Sequence, residues 1–190
     1  MAACVKCDLG KYREETSGKI VWGDGNLNAK IFLTGEAPGR DESISGKPFV
    51  GRAGKKLRSI LSKFINLEKD IFITNTALCR PPDNRKPTLA EQEACFPHIE
   101  TMFFLIRPKL VITAGRISSD WLSRILHKEY EIYKIQEVKW NDLWFLWLPM
   151  YHPSYLLRKP AAVQPFIACL QRYKGILERL RKNGKNQISL

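Results

Sequence analysis

Residues 29–54, Ala29-Lys-Ile-Phe-Leu-Thr-Gly-Glu-Ala-Pro-Gly-Arg-Asp-Glu-Ser-Ile-Ser-Gly-Lys-Pro-Phe-Val-Gly-Arg-Ala-Gly54, carry a strand, a loop and a helix in succession. The apolar run Ile31 to Leu33 reads as a buried strand. It stops at Gly35, where a loop bearing Glu36, Asp41 and Glu42 begins. Gly35, Gly39, Gly46 and Gly51, with Pro38 and Pro48, give that loop positions of unusual or fixed φ. A helix over about 50–65 follows, with Leu57, Ile60, Leu61 and Phe64 at helical spacing. In an open α/β sheet, ligands bind where strands end and loops cross to helices. An acid- and glycine-rich loop in that place is a candidate site, with a surface Ω-loop as the plainer alternative.

The same grammar repeats along the chain. Ile71-Phe-Ile-Thr-Asn-Thr76 is a second strand, running into the proline-rich loop Leu78 to Pro87. Thr88 and Glu91 have the spacing of a capping box for a helix over 88–105. Lys109 to Ala114 is a third strand, followed by Gly115 and a helix near 117–128. Leu143 to Leu148 is a fourth, apolar on both faces and so central, opening onto Tyr151-His-Pro-Ser-Tyr-Leu-Leu-Arg158. One last helix is expected over 163–182. Residues 1–13 read as a short helical arm, 14–28 as a loop with a short strand at Ile20-Val-Trp22, and 183–190 as a frayed tail. Residues 130–142 have no clear type. Strands alternating with helices predict an α/β fold, with helices on both faces of a parallel sheet. The loops after 34, 76 and 148 should converge at one edge of the sheet. With 190 residues, 44% of them hydrophobic, one domain over 1–190 is expected.

Thirty-one Lys and Arg against 19 Asp and Glu leave a formal charge of +12. That excess favours a polyanionic partner, nucleic acid above all, over a merely basic protein. No run of 18 apolar residues is present and the N-terminus has no apolar h-region, so a cytoplasmic protein with no membrane segment is expected. Five cysteines in such a chain do not read as a disulfide framework. Cys4 and Cys7 form a C-x2-C pair, and Cys79 and Cys95 stand sixteen residues apart. Two thiolate pairs suit a tetrahedral zinc or an iron–sulfur cluster, and spacing does not separate the two. Four unrelated buried thiols are the plain alternative. Cys169, on the apolar face of the last helix, reads as an ordinary buried thiol.

Residues 35–51, Asn75 four residues before Cys79-Arg-Pro-Pro82, and His152-Pro-Ser154 followed by Leu156 and Arg158 resemble the motifs of family 4 uracil-DNA glycosylases, the iron–sulfur branch of that superfamily. The likeness runs from Cys4 to Arg158. It implies a three-layer α/β/α fold with a four-stranded parallel central sheet, and a 4Fe–4S cluster on Cys4, Cys7, Cys79 and Cys95. It makes Asn75 the reader of the base, Phe49 the ring that stacks on it, and His152 the donor facing uracil O2. Gly35 and Ala37 fall in the substrate-binding motif, and Ala37 stands where better-known glycosylases carry an Asp. Leu156 matches the wedge that enters the vacated stack. Arg158, Arg85 and Lys86 fall on the DNA-facing rim. Glu36, Glu42 and Asn84 are the candidates for positioning water or stabilising a cation-like sugar. Ser43 departs from the Glu-Asp ending of the first motif. His98 and His127 receive no role. The resemblance implies a monofunctional uracil-DNA glycosylase that leaves an abasic site in uracil-containing DNA. It is expected to act as a monomer without an obligate protein partner. A non-turnover uracil-DNA-binding relative and a zinc-bearing DNA-binding module are the alternatives.

Overall fold

The computed structural model describes residues 4–182. Its strands are β1 (Asp24–Gly25), β2 (Ile31–Gly35), β3 (Ile71–Asn75), β4 (Leu110–Ala114), β5 (Gln136–Trp140) and β6 (Leu143–Met150). They form one sheet in the order β1-β3-β2-β4-β6-β5. The four inner strands are parallel to one another, as expected. Short antiparallel strands at both edges, β1 on β3 and β5 on β6, raise the count to six. Sequence missed both edges for physical reasons. β1 is two residues long, and β5 alternates Val138 and Trp140 inward with polar residues outward inside a segment of mixed composition. The strand expected at Ile20-Val-Trp22 is instead extended loop, pinned where Val21 N–H donates to the Leu78 carbonyl at 2.8 Å.

The helices are α1 (Asp8–Glu15), α2 (Arg40–Ser45), α3 (Arg52–Leu61), α4 (Leu89–Ile106), α5 (Arg116–Leu126), α6 (Pro153–Arg158), α7 (Val163–Arg172) and α8 (Lys174–Lys182). Period-two alternation sorts the strand residues onto two faces. Ile31, Leu33, Ile71, Ile73, Leu110 and Ile112 meet α3, α6, α7 and α8. Phe32, Phe72 and Val111 meet α4 and α5, with Trp140 and Trp147 completing an aromatic core. Three layers result. Thr88 and Glu91 form the expected capping box of α4, with Thr88 Oγ1 accepting from Glu91 N–H at 3.2 Å.

Two elements differ from expectation. The single helix over 163–182 breaks at Tyr173, whose hydroxyl ties down the 130–135 segment by accepting from Ile135 N–H and donating to the Tyr133 carbonyl, each at 3.2 Å. Within the first loop, α2 forms because the Glu42 carboxylate folds back on the Gly39 N–H, and it ends at Gly46, where φ is +79°. The tail at 183–190 and the first three residues of the arm lie outside the described residues. Among the described residues, no helix is long and apolar enough to cross a membrane.

Strand order places the site. The chain steps from β2 to β3 on one side, then crosses to β4 on the other side of β2. Loops leaving the strand C-termini there diverge, and the gap between them is where open α/β sheets bind ligands.

Candidate active site

A cavity of about 710 Å³ opens at that gap. Its walls come from the loop after β2, the loop after β3, the start of α5 after β4, and α6 after β6. Asn75 ends β3 directly beside Gly35, the last residue of β2. Gly35 is required by close approach: a Cβ there would lie 2.5 Å from both Asn75 Oδ1 and Phe49 Cζ. Phe49 has φ +55°, a turn that lays its ring against Gly35 and 6.5 Å from the His152 ring. Asn75 is 3% exposed, yet its amide has no hydrogen bond to another described residue. One aromatic face and one unspent amide thus share a floor with an imidazole.

The imidazole is held in one protonation state. Ser154 N–H donates to His152 Nδ1 at 3.2 Å, and Ser154 Oγ lies 2.8 Å from the same nitrogen. Arg158 Nη1 donates to Ser154 Oγ at 3.3 Å, which leaves the serine proton for Nδ1. Nδ1 is therefore the acceptor and Nε2–H the free donor. Burial, helped by the Arg158 charge, pushes the His152 pKa down to about 4, so the ring is neutral near pH 7. Gly115, with φ +108°, gives it room, since a Cβ there would approach His152 Cβ to 2.8 Å.

The acids divide. Glu42 spends both oxygens on backbone, accepting from Gly39 N–H and from Gly51 N–H at the N-cap of α3. It organises the loop. Glu36 lines the cavity with no hydrogen bond to its carboxylate among the described residues, and burial raises its pKa against the lowering pull of Lys86. Its backbone carbonyl is fixed by Thr76 Oγ1 at 2.7 Å, in a buried chain running on through Gln92 to Arg124. Ala37 also lines the cavity. Asn84, at the rim with φ +53°, accepts from Arg80 Nε at 2.8 Å.

Two rim residues sit differently from expectation. Leu156 is 2% exposed and packed in the core with α3 rather than on the surface expected of a wedge; its neighbour Leu157 is 40% exposed. Arg85 is not a free cation. Its guanidinium grips the Glu91 carboxylate at 2.7 and 2.9 Å, which holds that carboxyl below its usual range and fastens the 80–87 loop to α4. Arg85 still lines the cavity, as do Lys86, Arg52 and Arg158. Sequence reasoning missed Arg116 and Ile117 of α5, which also line it. The signal was available, for they follow Gly115 at the end of the third expected strand, Lys109 to Ala114.

Behind this cavity, Cys4, Cys7, Cys79 and Cys95 line a second, small one. His98 lines it too, with Nε2 3.9 Å from Cys4 Sγ and the ring packed edge-on to Trp22. One turn after Cys95 on α4, it is a neighbour that sequence left without a role. Burial pushes the Cys79 thiol up to about 11 and the Cys95 thiol to about 12. Among the described residues, no three His, Cys, Asp or Glu gather closely enough for a single ion. Four thiols lining one void are a donor set for a thiolate-held metal centre, zinc or iron–sulfur. Cys169 is buried among α7 and its neighbours, apart from this group.

Fold and cavity define a doubly wound α/β protein with a pocket floored by an aromatic ring, an amide and an imidazole beneath a cationic rim. The chain belongs to the uracil DNA glycosylase superfamily, whose family model matches residues 22–174. It is similar to a Type-4 uracil-DNA glycosylase of Saccharolobus solfataricus, 41% identical over 165 residues, 83% of this chain and 74% of that protein. One from Pyrobaculum aerophilum is 37% identical over 179 residues, covering 90% and 88%. Another, from Thermotoga maritima, is 36% identical over 159 residues, covering 82% and 78%.

Proposed function

We propose that this protein is a monofunctional uracil-DNA glycosylase, which takes deoxyuridine out of the DNA stack and hydrolyses its N-glycosidic bond to leave an abasic site. The observation that carries the proposal is the shared floor of Phe49, Asn75 and neutral His152 in one cavity. Flipping is needed because the scissile bond and the base edge are hidden in a duplex. The Phe49 ring stacks on the base. The Asn75 amide oxygen accepts from uracil N3–H while its NH2 donates to O4, a pattern that cytosine does not present. His152 Nε2–H donates to O2, where negative charge collects as the bond breaks; such a donor supplies about 3–4 kcal/mol. A neutral imidazole is suited to this, because it keeps its proton while polarising the oxygen. Glu36 is the acid left to position water or to face the cation-like sugar, and Glu42 sets the loop that carries it. Lys86, Arg52 and Arg158 hold phosphates, and exposed Leu157 takes the wedge position.

Cys4, Cys7, Cys79 and Cys95 would hold a 4Fe–4S cluster that fastens the N-terminal arm to the loop after β3. The convergence of four thiols on one void supports this, as does similarity to Type-4 proteins. Bound there, the cluster supplies structure rather than chemistry to the base. Unpaired thiols in such number fit a reducing cytoplasm, and a monomer acting on DNA without a protein partner completes the proposal.

A single-uracil oligonucleotide tests it. Incubation with the protein should give a strand break only after alkali. Breakage without alkali, trapped by borohydride, would instead mean that an amine of the protein forms a Schiff base with the sugar. Tight binding to uracil DNA with no alkali-labile product would favour a non-turnover binder.

A further inference from the structure

Arg13 is 5% exposed, unusual depth for a guanidinium. Its Nη2 donates to Glu14 Oε1 at 3.0 Å, but that carboxylate is half exposed, and Nη1 is buried with no partner. A buried cation with an unmatched donor is costly unless counter-charge lies beside it. Leu9, Gly10 and Arg13 make the buried face of α1. Leu9 packs with Ala77 and Cys79, and Gly10 lies so close to the first cysteine pair that a Cβ would stand 2.7 Å from the Cys4 carbonyl oxygen. Arg13 lies on that same buried face of α1, its Nη1 unspent, and its charge opposes the upward push that burial gives the Cys79 thiol.

We propose that Arg13 is the counter-charge and outer hydrogen-bond donor of the thiolate-held cluster, stabilising its reduced state and slowing its loss, an inference that rests on the cluster proposed above. A cluster held by four thiolates is anionic and becomes more so on reduction. A fixed positive charge and an N–H donor at a ligating sulfur both favour the electron-rich state and so raise the reduction potential. Outer-shell partners of this kind also retain the metal, and losing one costs about 10–100-fold in metal retention.

The test uses the iron-loaded full chain and the variants Arg13→Lys, Arg13→Gln and Arg13→Met. The readouts are midpoint potential by voltammetry and the rate at which a chelator bleaches the brown absorbance. Arg13→Gln and Arg13→Met should shift the midpoint to more negative values and bleach about 10–100-fold faster. Arg13→Lys, which keeps the charge, should hold most of the potential and lose part of the retention. A midpoint in Arg13→Gln equal to wild type overturns the inference, whatever happens to Tm, because loosened packing of α1 would lower Tm without moving a potential. Should Arg13→Met fail to fold, Arg13→Gln against Arg13→Lys decides the same question. Wild-type protein purified without iron or sulfide overturns the cluster and this inference together. Iron-loaded protein with an unmoved Arg13→Gln midpoint overturns the inference alone.

Discussion

Asn75 and Cys79 leave the same strand four residues apart and enter two opposite kinds of site. Around Asn75 the floor groups Phe49, Asn75 and His152 are uncharged, face an open cavity, and keep unspent hydrogen-bonding capacity: the Asn75 amide and His152 Nε2–H. Around Cys79 the groups come from the arm, the loop after β3 and α4, and they enclose a small void. The first arrangement suits a ligand that arrives and departs, because its partners must be free when the cavity is empty. The second suits a permanent occupant whose charge the protein must balance. The difference separates the expected effects of mutation. Changes at the cavity should cost turnover and spare the fold, whereas changes at the cysteines should cost both.

Asn75→Asp is the severest test. An ionised Asp offers only acceptors, so one oxygen would face uracil O4 and repel it. A site built for one hydrogen-bond pattern rejects a mismatch by about 10⁴–10⁵-fold, because buried polar groups are left unpaired. Single-turnover uracil excision should fall on that scale while Tm and DNA affinity hold. A protonated Asp matches cytosine, donating to N3 and accepting from N4–H2, so a trace of cytosine excision should appear and grow as pH falls. Wild-type uracil excision by this variant would remove Asn75 from the role of base reader.

His152→Ala comes next, with an expected loss of about 10²–10³ in kcat. It also carries a stability signature. The folded pKa of about 4 lies below the ordinary 6.5, so the unfolded chain binds more protons between those values. Wild-type stability should therefore fall as pH drops from about 6.5 towards 4, and that part of the slope should vanish in the variant. An unchanged slope in acid unfolding curves would mean that His152 is not held neutral. Crossing to the other region, Cys79→Ala should bleach the protein and lower Tm and DNA affinity together, with a smaller loss of excision once DNA is saturating. A colourless, metal-free variant with wild-type Tm would end the cluster assignment.

Much of this was legible in the sequence, and the misses have causes. β2, β3, β4 and β6 were visible because strands buried on both faces read as continuous apolar runs. The loops that follow them had to meet once the sheet was parallel. Leu156 was misplaced because a motif gives order and not helical phase. Pro153 and Leu156 lie three apart on α6 and share its buried face, which turns Leu157 and Arg158 outward. The lock on His152 could not be read either, since nothing in His-Pro-Ser states that Ser154 points back at Nδ1 or that Arg158 reaches that serine. Arg85 and Lys86 look alike as adjacent charges, and only the fold reveals that Glu91, already bonded to Thr88 N–H, also takes Arg85.

That last pair gives the smallest and most discriminating prediction. A phosphate-binding Lys or Arg releases counterions when DNA binds, so each one contributes roughly one unit to the slope of log K against log salt. Lys86 lines the cavity rim with no carboxylate holding it among the described residues, whereas Arg85 has both terminal nitrogens on Glu91. Lys86→Ala should weaken binding to every DNA sequence about equally and flatten the salt slope by about one unit. Arg85→Ala should leave the slope nearly as it was. Its cost should appear in the fold, because Glu91 would remain mostly buried with only the Thr88 backbone N–H as partner, and the 80–87 loop would lose its tie to α4. Removing one partner of a charge-assisted pair of this kind costs about 1.5–3 kcal/mol, read as a fall in Tm and faster proteolysis of the loop. Titrations of both variants across a salt series settle the matter. If Arg85→Ala flattened the slope and Lys86→Ala did not, the ion pair with Glu91 would open on DNA, and the phosphate contact would belong to Arg85.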